Sequence, residues 1–159
     1  MIAGKWGARG YLCDPPQITF ESTLEQVSLQ NPDLIIWTGD STAHDEPFIT
    51  KDEVTSTLET IINIVKDKFP EHADKFVFSL GNHDNYPNSQ QDFEKMQPES
   101  SVMELLNFWI PSDQQGDFAK WGNYTRDIED LNTRIISLNT ESCDFKNLYI
   151  DSQENDPNN

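Results

Sequence analysis

Four side chains invite a chemical reading as a group: Asp40, His44, Asn82 and His83. Asp40 closes Thr38-Gly39-Asp40, and Asn82-His83 follows Gly81, so each group stands directly after a glycine that permits a sharp turn. A carboxylate has two oxygens and can bridge two cations roughly 4 Å apart, whereas an Asn amide oxygen binds one cation without cancelling the charge that activates water. An imidazole beside a ligand and facing the substrate can protonate a departing alkoxide. His83 suits that task, and His44, four residues after Asp40, could assist from the opposite loop. The chemistry these residue types suit is hydrolysis of a phosphate ester at a binuclear metal site, with activated hydroxide attacking phosphorus. Singly, the signals are ordinary, since Gly-Asp after a strand is a common turn and a lone loop histidine is more often solvated. Gly81-Asn82-His83-Asp84 is more specific, because a turn requires neither the Asn nor the His.

The elements that must position these groups are legible nearby. Asp40 ends the apolar run Leu34 to Trp37, short enough for a buried parallel strand, and Phe76 to Leu80 repeats the design before Gly81. Ligands of open α/β sheets bind at the carboxyl ends of strands, so two such strands would deliver Asp, Asn and two His to one rim. Between them, Thr50-Lys51-Asp52-Glu53 fits a capping box, and Val54, Leu58, Ile61, Ile62, Val65 and Phe69 recur at helical spacing as far as Pro70. Strand, helix and strand in that order predict a parallel crossover. Upstream, Gly7, Gly10, Pro15 and Pro16 mark residues 1–16 as an irregular loop, and Phe20, Leu24 and Val27 predict a helix from Thr19 that ends at Asn31-Pro32. That helix is half of a βαβ unit whose earlier strand would precede Met1. Downstream come a polar loop after Tyr86-Pro87, near the site, and a helix over 99–110 with Val102, Leu105, Leu106 and Trp109 inward. Residues 122–128 and 134–139 predict a strand pair joined by a polar turn at 130–133, and 151–159 read as a poorly ordered tail.

Composition narrows the function classes. A chain of 159 residues fits one domain. With 28 Asp and Glu against 11 Lys and Arg, the net charge of -17 disfavours nucleic-acid coating and anionic membranes at neutral pH. The pI near 4.2 means that this charge largely disappears in an acidic compartment, which is compatible with lysosomal or secreted life. No stretch approaches the roughly 18 apolar residues of a membrane span. Met1 to Trp6 carries no apolar core of a signal peptide, so the chain as written is expected to stay in the cytosol. Cys13 and Cys143 cannot by themselves establish an oxidising compartment, and Asn123-Tyr124-Thr125 is an N-glycosylation acceptor pattern.

A family resemblance joins these pieces. Gly4-Lys5-Trp6-Gly7, Tyr11-Leu12-Cys13-Asp14-Pro15, Trp37-Thr38-Gly39-Asp40, Ala43-His44-Asp45, Gly81-Asn82-His83-Asp84, Gly122-Asn123-Tyr124 and Arg134-Ile135-Ile136-Ser137-Leu138-Asn139 resemble the calcineurin-like metallophosphoesterases. Within them, the match is to the acid sphingomyelinase and acid sphingomyelinase-like phosphodiesterase family, along nearly the whole chain. The resemblance implies an α/β fold, a sandwich of mixed β-sheets flanked by helices, with residues 1–150 as the central part of a single domain and 151–159 as a polar tail. It implies Asp40 as a metal-bridging ligand, Asn82 as a second ligand, and His83 with His44 as the groups that protonate the leaving oxygen. It further implies two zinc ions (Zn2+), a phosphodiester substrate of sphingolipid or nucleotide type, and a secreted or lysosomal location. Cys13 and Cys143 would form disulfides with partners outside this chain.

The family also has an Asp-x-His pair on an earlier strand, and a lone His and a Gly-His-x-His on later ones, none of which is matched here. Catalytic zinc normally takes about three protein ligands per ion, so the 159-residue chain is expected to be incomplete and inactive alone. Asp84 resembles the sphingomyelinase-like branch and Cys143 the sphingomyelinases, which leaves the branch open. The alternative is a metal-free binding or regulatory module on the same scaffold.

Overall fold

The structure, a computed structural model, describes residues 4–8, 13–45, 48–95, 98 and 100–150. Tyr11-Leu12, Glu99 and the tail expected over 151–159 lie outside the described residues. Helix α1 spans Gln17–Leu29, β1 Ile35–Trp37, α2 Lys51–Lys68, β2 Phe76–Phe78, α3 Ser100–Leu106, α4 Gln115–Trp121, β3 Tyr124–Ile128 and β4 Thr133–Ser137.

The centre is the β1–α2–β2 crossover. β1 and β2 pair in parallel, with Ile35 opposite Phe76, Ile36 opposite Val77 and Trp37 opposite Phe78. Helix α2 has the reason to form that its sequence announces: the Thr50 hydroxyl accepts from the Glu53 amide, and the Glu53 carboxylate accepts in return from the Thr50 amide. Its stripe of Val54, Leu58, Ile62 and Val65 is buried, and Phe69 continues it. Helix α1 is different. It starts two residues before the expected Thr19, directly after Pro16, and buries no residue fully; Phe20, Leu24 and Val27 only lean on the core. It ends where expected, with Asn31 in the left-handed region before Pro32.

Trp109 is the keystone of the core. It is fully buried, stacks on Phe76 at a centroid distance of 4.5 Å and meets Trp37 edge-on at 6.3 Å. By strand alternation, Trp37, Phe76 and Phe78 share the face it covers. The helix that delivers Trp109 is shorter than its apolar spacing predicts: α3 stops at Leu106, and Asn107 to Ile110 continue as a turn that still buries Trp109 and Ile110. Helix α4 is not foreseen in the sequence. Its single fully buried residue, Phe118, gives too little periodicity to detect, and Gly122 at φ 73 ends it.

β3 and β4 form an antiparallel pair with five residue pairs from Tyr124–Ser137 to Ile128–Thr133. The expected turn is a 310 segment, Glu129–Leu131, closed by Asn132 in the left-handed region. This pair meets β2 through side chains. The Tyr124 hydroxyl accepts from the Phe78 amide at 2.8 Å and donates to the Phe78 carbonyl at 3.0 Å, and the Ser137 hydroxyl donates to that carbonyl at 2.7 Å. Burial pushes the Tyr124 hydroxyl up to about 12, so it stays protonated and keeps both roles.

One expectation is corrected here. β1 was expected to be a buried strand, and it is half-exposed, with Ile36 at 60%. Among the described residues β1 pairs only with β2, which leaves its second edge and one face uncovered.

Candidate functional site

The loops after β1 and β2 run side by side, closer than side chains would allow. Gly39 adopts φ 76, and a Cβ there would stand 2.3 Å from the Gly81 amide nitrogen; a Cβ on Gly81 would stand 2.4 Å from the Asp40 amide nitrogen. Asp40 follows in the left-handed region at φ 56, a conformation Asp tolerates better than most residues. The spacing is held by a carboxylate. Asp84, 2% exposed, accepts from the amides of Gly81 at 2.7 Å, Ser41 at 2.8 Å and Asp40 at 3.1 Å. Burial raises its pKa above the ordinary carboxylate value, and these three amides oppose that rise. Sequence reading singles out the tetrapeptide that contains Asp84 but not this task, because two of its three partners lie across the crossover.

The expected rim exists. Asp40 Oδ1 accepts from the His83 amide at 3.1 Å, the Thr42 hydroxyl donates to the His83 carbonyl at 2.6 Å, and the rings of His44 and His83 lie 4.1 Å apart between centroids. Asn82 donates from Nδ2 to Asn88 Oδ1 at 2.7 Å and to the Ser89 hydroxyl at 3.2 Å. Both bonds use the amino end of the amide, which leaves Oδ1 as the atom offered to a cation. Asn88 Nδ2 in turn lies 3.1 Å from His83 Nδ1 and 3.0 Å from its Nε2, so the polar loop expected near the site does reach it.

Two clefts border the histidine pair. One, about 560 Å³, is lined by Asp14, Phe20, Trp37, Asp40, His44 and Ile61; the other, about 230 Å³, by Thr42, Ile49, His83, Tyr86, Pro87 and Asn88.

As cation donors, Asp40 and Asn82 supply an anionic and a neutral oxygen from neighbouring loops, a chemically suitable pair for hard or borderline divalent ions. They are part of a donor set and not a whole one: no group of three His, Cys, Asp or Glu suited to an ion occurs among the described residues.

Glu141 is a site neighbour that sequence reading misses. It is 6% exposed, its Oε2 has no hydrogen-bond partner among the described residues, and its carboxyl is pushed up to about 7 by burial and then by the charges of Asp144, Asp40 and Asp84. The remaining sequence candidates stand apart. No disulfide joins Cys13 to Cys143, and both side chains are exposed. Asn123 is exposed, and its Oδ1 accepts from the Asn139 amide at 2.6 Å. His72 meets Phe69 edge-on at 5.7 Å, away from the rim.

The sequence model of the family described as calcineurin-like phosphoesterase matches residues 14–157. The chain belongs to this family. The α/β architecture seen here, with a parallel and an antiparallel strand pair among helices, is that of an incomplete calcineurin-like domain. Among curated proteins, the chain is 31% identical over 157 residues to the mouse (Mus musculus) acid sphingomyelinase-like phosphodiesterase 3b, covering 96% of this chain and 32% of that protein. It is 30% identical over 164 residues to sphingomyelin phosphodiesterase B of Dictyostelium discoideum, covering 99% and 25%. It is 29% identical over 159 residues to the endopolyphosphatase of Schizosaccharomyces pombe, covering 92% and 27%. The chain thus spans about a third or less of the length of these relatives. No described helix is long and apolar enough to cross a membrane.

Proposed function

We propose that this chain carries part of the active site of a metal-dependent phosphodiesterase that hydrolyses diesters of sphingolipid or nucleotide type. The observation that supports this best is the convergence of Asp40, Asn82, His83 and His44 on the joined ends of two parallel strands, with the two imidazoles 4.1 Å apart. Relatives named as phosphodiesterases support the reaction class.

In this reading Asp40, through its carboxylate, and Asn82, through Oδ1, would hold divalent cations, two zinc ions in the full donor set. Such ions supply positive charge that steadies the phosphorus centre and makes water a stronger nucleophile. The protein's own groups do the rest. The Asp84 bracket fixes both donors, and His83, tied by its amide to Asp40 and at its ring to Asn88, holds the proton for the leaving oxygen with His44 beside it. A secreted or lysosomal location and a glycan on exposed Asn123 complete the proposal, supported by the excess of carboxylates, 28 against 11 basic residues.

The test is His83→Ala in zinc-loaded protein that carries the full donor set. Turnover of a phosphodiester is expected to fall about 100-fold or more, with bound zinc by elemental analysis unchanged. Unchanged turnover would remove His83 from its role. Failure of Asp40→Asn to reduce bound zinc would remove Asp40 as a ligand, and a parent protein that takes up no zinc would favour a metal-free binding module.

A further inference from the structure

His44 is held at two points by one side chain that nothing in the sequence pairs with it. Its amide donates to Asp14 Oδ2 at 2.9 Å, and its ring Nδ1 lies 2.8 Å from Asp14 Oδ1. Asp14 stands on the segment that leads into α1, so the contact joins two loops that share no ladder or helix. One bond fixes the backbone at His44 and the other fixes the ring upon it, which sets the direction of the imidazole in the larger cleft that both residues line.

The chemistry of the pair also sets a tautomer. An ionised carboxylate has acceptors only, so the hydrogen between the two groups belongs to Nδ1. The side-chain bond from His44 holds the Asp14 carboxyl below its ordinary range, partial burial opposes this, and the His44 amide adds to the lowering. The side chains are 67% and 40% exposed, so the pair adds little to stability. Direction and tautomer are what it can supply.

We infer that Asp14 is a positioning residue for His44: it keeps the hydrogen on Nδ1 and so makes Nε2 the atom through which His44 assists His83 in protonating the leaving oxygen. The inference rests on the proposed phosphodiester hydrolysis. As the P–O bond breaks, its electron pair goes to the leaving oxygen, one N–H bond of the histidine pair breaks and the new O–H bond forms. When that proton comes from His44 Nε2, the ring is left neutral and hydrogen-bonded through Nδ1–H to Asp14, until solvent returns a proton to Nε2.

Asp14→Asn keeps the shape and one acceptor while removing the charge that fixes the tautomer. Two readouts decide the matter. In the isotope-labelled chain, the ring nitrogen shifts of His44 are expected to report hydrogen on Nδ1 in the parent and a mixture of tautomers in Asp14→Asn. In the zinc-loaded protein, Asp14→Asn is expected to slow a diester with an alkyl leaving group about tenfold or more, and bis(4-nitrophenyl) phosphate less than about twofold, because nitrophenolate departs without a proton. An unchanged nitrogen pattern overturns the inference, and so does an equal loss on both substrates, which marks a merely structural contact. Failure of the underlying reading looks different: His83→Ala and His44→Ala then leave alkyl-diester turnover intact, while the nitrogen shifts still report whether Asp14 sets the tautomer.

Discussion

β1 and β2 pair over three residues and β3 and β4 over five, yet every candidate reactive side chain follows the shorter pair. The longer pair is regular, with each residue of β3 opposite one of β4, and it meets β2 at Phe78, through the Tyr124 ring and the hydroxyls of Tyr124 and Ser137. The shorter pair cannot hold its loops by ladder bonds alone. It relies on devices at the strand ends: two glycines that let backbones approach, one residue in the left-handed region, and a buried carboxylate that gathers three amides. Regularity thus serves support in this molecule, and irregularity serves the site.

Three perturbations probe that contrast, in falling order of effect. Gly39→Ala strikes the irregular end, where the added methyl would meet backbone at 2.3 Å in a left-handed residue. It is expected to cost about 3 kcal/mol or more in chemical denaturation; a loss below about 1 kcal/mol would mean that the loops part easily. Tyr124→Phe strikes the support by stripping two hydrogen bonds from the Phe78 peptide. A loss of about 1–2 kcal/mol is expected, with amide-exchange protection of Asp40, Ser41 and Gly81 unchanged. Lost protection there would show that the two regions are not separable.

The smallest effect lies where the regions meet electrostatically, at Glu141 just beyond β4. Its folded pKa, about 7, lies above the unfolded value of 4.5. Between those values the native chain holds a proton that the unfolded chain has released, so this contribution to stability is full below pH 4.5 and is lost as pH rises through about 7. Raised Asp84 adds a slope of the same sign. In the metal-free chain, Glu141→Gln should flatten the dependence of the denaturation midpoint on pH over that window; an unaltered slope would place the charge elsewhere.

What the sequence made legible follows the same division. The capping box and apolar stripe of α2, the parallel crossover and the strand pair around Asn132 are written in local patterns, and the structure has them. Asp40, Asn82, His44 and His83 could be brought together because strand-end placement is a local inference too. Asp14 could not be foreseen as the partner of His44. A carboxylate before Pro15-Pro16 reads as ordinary loop, and its partner lies in another loop. Glu141 was equally hidden, since its unusual environment is made by burial first, then by its neighbour Asp144 and by Asp40 and Asp84 from two other segments. Misjudged burial has its own cause: Leu34 to Trp37 is apolar enough for a strand covered on both faces, and composition does not say whether the covering elements are among these residues.

The Asp84 bracket has a consequence for ligand binding. Loops that must be brought together when a cation or phosphate arrives surrender conformational freedom at that moment, and the affinity is reduced accordingly. Here the amides of Asp40, Ser41 and Gly81 converge on one buried carboxylate of the same chain. That ordering is completed during folding, so in the proposed site a cation would meet a backbone whose entropy has already been spent.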